Sequence, residues 1–145
     1  MTVQSQQNEA GLRVSRSNGI ATILISREAK MNAMSQAMWR SMIDLVGELE
    51  ADDTVRVLVL RGAGDNFCAG ADVSEFDTVR RDAETARSYE MLNAGAFAAI
   101  RNTHLPTIAA ISGVCFGGGF GLAAACDLRI ASPDALFSVP AARLG

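Results

Sequence analysis

The stretch "PTIAAISGVCFGGGFGLAAACDLRIAS", residues 106–132, decides how this chain folds. It opens on "PTIAAIS" (106–112), a continuous apolar run that predicts a buried strand. It then passes through Gly113, Gly117, Gly118, Gly119 and Gly121 into "GLAAA", which predicts a helix reaching Ala125, and closes on "DLRIAS", a further short strand. Glycine inside a helix or strand costs roughly 0.5–1 kcal/mol relative to alanine, so three in a row at a strand-to-helix junction need a reason. Close packing of the helix on a strand is one. Backbone N–H groups left open to a ligand are another. Dinucleotide binding is a third, because Gly119, Gly121 and Ala124 satisfy G-x-G-x-x-A after a strand. That motif wants an acid about 20 positions on, at the end of a second strand, and residues 135–145 hold no Asp or Glu.

A second stretch repeats the layout. "VRVLVLRGAG" (55–64) predicts a strand buried on both faces, as in a parallel sheet, and "DNFCAGADVSEF" carries it through small residues towards a helix. Ligands of open α/β sheets gather beyond the carboxyl ends of strands. Helix N-termini leave N–H groups unpaired and favour negative charge beside them. Two such termini facing each other aim two donors at one oxygen, which is an oxyanion hole, and losing one such donor typically costs about 2.7–4 kcal/mol of transition-state stabilisation. A thioester carbonyl passing through an enolate would use it.

The remaining segments fit between these two. "LRVSRSNGIATILIS" (12–26) predicts a hairpin turning at Asn18-Gly19. "REAKMNAM" is an irregular connection, after which Ser35 caps a helix with Met38, Met42, Leu45, Val46 and Leu49 on one stripe and Trp39 beside it in the core. A charged helix from about Arg80 to Arg101 buries Tyr89, Leu92, Ala96 and Ile100; "ALFSV" is one more candidate strand. Alternating strands and helices predict an α/β fold with crossover connections. No repeat or linker divides it.

A net charge of -3 gives no reason to expect nucleic acid or an anionic membrane as partner, and Arg80-Arg81, the one basic doublet, reads as a solvated helix face. No apolar run approaches the roughly 18–20 residues that span a bilayer. The first eleven residues, polar and without the order of a signal peptide, predict a flexible tail. Cys68, Cys115 and Cys126 are odd in number and lack C-x-x-C spacing, which suits reduced thiols in a cytoplasmic protein. The single histidine, His104, excludes a multi-histidine metal site.

After about residue 11 the chain resembles the enoyl-CoA hydratase/isomerase family, the crotonase superfamily, on three segments: "ISREAKMNAMS", "VLRGAGDNFCAGADVSEF" and "PTIAAISGVCFGGGFGLAAACDLRIAS". The resemblance implies a crotonase-like core of stacked ββα units over 12–145 and a C-terminal helical region that drives trimer formation. That region is missing here, so a truncated chain with uncovered apolar surface is expected. The resemblance gives the oxyanion N–H groups to Ala71 and Gly118, places Asp72, Val73, Ser74 and Gly117 along the acyl-CoA site, and sets Lys30 and Ala33 near the CoA adenine and thioester arm. It implies an acyl-CoA thioester as partner, no metal, no cofactor beyond the coenzyme A of the substrate, and a homotrimer or dimer of trimers at full length.

Two departures matter. Family hydratases carry glutamates where this chain has Gly121 and Ala141. Neither residue transfers protons, and hydration needs a base and a proton donor. Glu75, Asp72 and Asp127 are the nearest acids; Asp72 is expected to cap a helix, Asp127 to be structural, Glu75 to face solvent, and His104 to sit in a turn. Nothing local marks Cys68 as an activated thiolate. The expectation is a lyase or isomerase stabilising a thioester enolate, with a decarboxylase, or a non-catalytic acyl-CoA-binding or assembly subunit, as alternatives.

Overall fold

The computed structural model describes residues 4–7 and 10–140; Ala141, at the second lost glutamate position, lies outside the described residues. The hairpin forms as expected. Strands β2 (Leu12–Ser17) and β3 (Ile20–Ile25) pair antiparallel. Asn18 and Gly19 both take positive φ, 55° and 80°, which suits a tight turn between twisted strands. The expectation of a flexible tail does not hold for Gln4–Gln7, which form strand β1 antiparallel to β2. Backbone pairing along the free edge of β2 replaces solvent there.

Helix α1 (Gln36–Glu50) starts at Ser35, whose hydroxyl accepts from Met38 N at 3.2 Å. It buries Met38, Trp39, Met42, Val46 and Leu49, and Leu45 packs at their margin. Strand β4 (Val57–Gly62) follows, parallel to β3. The charged helix expected from about Arg80 forms as α3 (Ala83–Asn102), and a separate single turn not expected from the sequence, α2 (Phe76–Val79), precedes it. Asp82 makes the break. Its carboxylate accepts from Thr85 N at 2.8 Å while its own N–H donates to Thr85 Oγ1 at 3.0 Å, a reciprocal cap that starts α3 afresh.

Strand β5 (Thr107–Ile111) lies parallel to β4. Beyond it come a short strand β6 (Val114–Phe116), helix α4 (Gly118–Ala125), strand β7 (Leu128–Ala131) and strand β8 (Leu136–Ser138). The main sheet runs β1-β2-β3-β4-β5-β7, parallel from β3 onward, and β6 and β8 form a second, parallel pair. Because β3, β4, β5 and β7 follow one another in one direction, right-handed crossovers set their helices on one face, and α1 and α3 pack together there. One consequence corrects the expectation of strands buried on both sides. In β4, Leu58 and Leu60 are buried, Val57 and Val59 half-buried and Arg61 exposed. β5 alternates likewise. The core lies between that helical face and the sheet, around Ile23, Met42, Leu58, Leu60, Ile100 and Ala109.

Candidate functional site

The carboxyl ends of β4 and β5 bring the two glycine-containing stretches together. Asn32, fully buried, fastens the first family-like segment to the loop after β4. Its Oδ1 accepts from Arg27 N at 2.9 Å, and its Nδ2 donates to Ala63 O at 2.9 Å and Asn66 O at 2.8 Å. Met34 N donates to Gly70 O at 2.7 Å, and Asp72 N donates to Met34 O at 2.9 Å. In a parallel bridge of this kind the intervening residue turns its own N–H to the opposite side. That residue is Ala71.

Gly118 is the first residue of α4, so its N–H belongs to the unpaired donors of a helix start. A β-carbon on Gly118 would stand 3.7 Å from Ala71 N, and one on Gly70 would stand 3.5 Å from Gly118 N. The two backbones are therefore in contact. Among the described residues neither the Ala71 nor the Gly118 N–H has a protein acceptor.

The glycines serve packing as well. Gly117 takes φ 51°, ψ −117°, a conformation that side-chain-bearing residues avoid. A β-carbon on Gly118 would meet the Trp39 indole at 2.9 Å, one on Gly119 would meet Cys68 Cβ at 2.8 Å, and one on Gly121 would meet the Phe97 ring at 2.6 Å. Close packing and open N–H groups thus coexist. Helix α4 rides close on its neighbours because Gly118, Gly119 and Gly121 lack side chains, and its first amide is bare because it opens the helix.

A cavity of about 610 Å³ opens beside these amides. Ala71, Val73, Gly117, Gly118 and Gly121 line it, so the two glycine-containing stretches meet at one place. Trp39 and Phe97, edge to face with centroids 5.6 Å apart, form an aromatic wall. Lys30, Ala33, Asp72 and Ser74, also expected at the site, do not line the cavity. Lys30 is exposed at the end of a single 3-10 turn, with Ala33 half-buried beyond it. Asp72 and Ser74 are turned to one another. The Ser74 hydroxyl donates to Asp72 Oδ1 at 2.6 Å, and Arg27 pairs with Asp72 Oδ2 at 2.9 Å. The Ser74 hydroxyl first, then the Arg27 guanidinium, hold the Asp72 carboxyl below its ordinary value against the opposing effect of burial.

The other acids singled out in the sequence are structural. Glu75 accepts from Gln36 N at 2.8 Å and so serves the first turn of α1. Asp127 accepts from Thr107 N at 2.9 Å, tying β5 to the start of β7. His104 contacts Glu50 at 3.0 Å in the turn before β5. Burial pushes the Cys68 thiol up to about 12 and the Cys115 and Cys126 thiols up to about 11, so none is a ready nucleophile at neutral pH.

Several cavity residues escaped the reading from sequence. Glu90, Asn93 and Phe97 fall at i, i+3 and i+7 on α3, one face of a helix. Arg80 joins them from the break between α2 and α3. Both arginines of the doublet are exposed, as expected, and Arg81 pairs with Asp82 at 3.5 Å. The Arg80 guanidinium instead lies 4.2 Å from the centroid of the Phe76 ring. Among the described residues no group of three or more His, Cys, Asp or Glu could hold a metal, and no helix is long and apolar enough to cross a membrane.

Comparison with known proteins bears on this geometry. A model of the enoyl-CoA hydratase/isomerase family matches residues 15–145. The chain belongs to that family. It is 36% identical over 140 residues to a hydroxycinnamoyl-CoA hydratase-lyase of Pseudomonas fluorescens, covering 88% of this chain and 48% of the relative. It is 32% identical over 149 residues to a peroxisomal Delta(3,5)-Delta(2,4)-dienoyl-CoA isomerase of Arabidopsis thaliana, covering 96% and 54%. Among solved structures, an enoyl-CoA hydratase/carnithine racemase from Magnetospirillum magneticum superposes with a TM-score of 0.92 at 37% identity, over 97% of this chain and 52% of that one. The fold is thus crotonase-like. The chain spans about half the length of the curated relatives it matches.

Proposed function

We propose that the protein acts on acyl-CoA thioesters, with the Ala71 and Gly118 N–H groups sharing the thioester oxygen as it gains enolate charge. The observation carrying this reading is that two amides without protein acceptors border one cavity. Preorganised donors of this kind stabilise an oxyanion with little rearrangement. The apolar wall of Trp39 and Phe97 suits an acyl group beside them. Lys30 and Ala33 would meet the coenzyme arm outside the cavity, and Val73 and Gly117 the acyl end; Asp72 and Ser74 would shape the loop and leave ligand contact to backbone. Coenzyme A enters only with the substrate. A cytoplasmic protein fits three free, buried cysteines, and the proposed assembly is the homotrimer or dimer of trimers of the family reading.

Hydratase/isomerase chemistry is the family's own label. Gly121 offers no proton-carrying group, and the Phe97 ring fills the space beside it. That favours decarboxylation over hydration within the family, since an enolate can form on loss of carbon dioxide without paired glutamates.

The test is a panel on the full-length protein: crotonyl-CoA, followed by loss of enoyl thioester absorbance, and 3-enoyl-, dienoyl- and malonyl-type thioesters. Turnover of at least one is expected. Binding of all with turnover of none would overturn the enzymatic reading and leave a binding or assembly subunit.

A further inference from the structure

Charge at the far end of the cavity has no role in holding an enolate. Phe97, beside Gly121, marks the end of the cavity next to the two amides. Glu90 lies seven residues earlier on the same face of α3, which at 1.5 Å per residue is about 10 Å along the cavity wall. Arg80 stands at that far end, with its guanidinium 5.7 Å from the ring of Tyr89, the neighbour of Glu90.

Arg80 is held in an unusual way for a surface arginine. Its guanidinium lies over the Phe76 ring at 4.2 Å, a contact that fixes the long side chain without neutralising it. No carboxylate among the described residues comes within ion-pair distance of it, although Glu90 lines the same cavity. The Tyr89, Trp39 and Asn93 side chains engage one another through the Tyr89 hydroxyl, so the charge offered to a ligand at this end is that of Arg80 and Glu90. A purely hydrocarbon acyl chain would leave the Arg80 guanidinium unmatched.

We propose that the acyl group taken by this cavity ends in a carboxylate, which Arg80 holds about 10 Å from the enolate-forming end. A planar guanidinium presents paired donors to a carboxylate, and Arg80 is already oriented by Phe76. Glu90, close by, repels the same group and so limits how tightly it binds. The inference rests on the acyl-CoA reading of the cavity.

Calorimetric titration of the full-length protein with azelayl-CoA and nonanoyl-CoA, equal in chain length and differing in the terminal carboxylate, tests it. The wild type should prefer azelayl-CoA by about tenfold or more, as hydrogen bonds to charged groups allow. Arg80→Met should remove that preference, Arg80→Lys should restore part of it, and Glu90→Gln should increase it. Equal affinity for both esters in the wild type overturns the inference and leaves the acyl-CoA reading standing. Loss of affinity for free coenzyme A in Arg80→Met, with the azelayl preference kept, assigns Arg80 to the coenzyme phosphates and also overturns it. Failure of both esters to bind removes the acyl-CoA reading together with the inference.

Discussion

A β-carbon on Gly119 would press on Cys68 and one on Gly118 on the Trp39 indole, so the glycine run is fixed by contact as well as by exposure of an amide. The residue sequence shows the run; only the packing separates the parts played by its members. Asp72 is the converse case. Its type and place predict a cap, and it does accept from Ser74 N at 3.0 Å, but its pairing with Arg27 depends on a loop whose path the sequence leaves open. Because the Asp72 carboxyl is held below its ordinary value of 3.8, it adds stability above that pH and loses it as the pH falls through the lowered folded value. Asp72→Asn should therefore melt lower than the wild type at neutral pH, and the gap should close as the pH drops below about 3.8. Thermal melts across that range check this, and a gap independent of pH would show that the charge contributes nothing.

At the scale of elements, the hairpin, α1 and the parallel strands follow from turn residues and apolar spacing. The break between α2 and α3 does not, because the cap at Asp82 pairs with a threonine at the third helical position, where a Glu or Gln is the stronger signal. The charged face of α3 misleads for a related reason. Glu90 looks solvated along the chain and is exposed, and only the crossing of α3 with α4 shows that it also borders the cavity. Asp82→Ala should cost about 0.5–2 kcal/mol by loss of the cap. Urea denaturation measures it, and an unchanged midpoint would mean that packing of α3 on α1 alone sets where the helix begins.

For the whole molecule, the monotonic order β3-β4-β5-β7 puts α1 and α3 on one face of the sheet and leaves β7 at its edge, with β8 in the second sheet. Leu128, Ile130, Leu136 and Val139 stand more than half exposed there, the uncovered apolar surface expected from the sequence. The same order carries the ends of β4 and β5 to one edge, where Ala71 and Gly118 meet. Family membership could be read from three segments because each supplies backbone geometry that few residues tolerate. The reaction could not, since the polar groups of the cavity come from α3, outside those segments. The most direct measurement is the structure of the full-length protein with a CoA thioester bound. The thioester oxygen should lie about 2.7–3.1 Å from both the Ala71 and Gly118 nitrogens. A carbonyl bound elsewhere, or reached by only one of the two amides, would contradict the account.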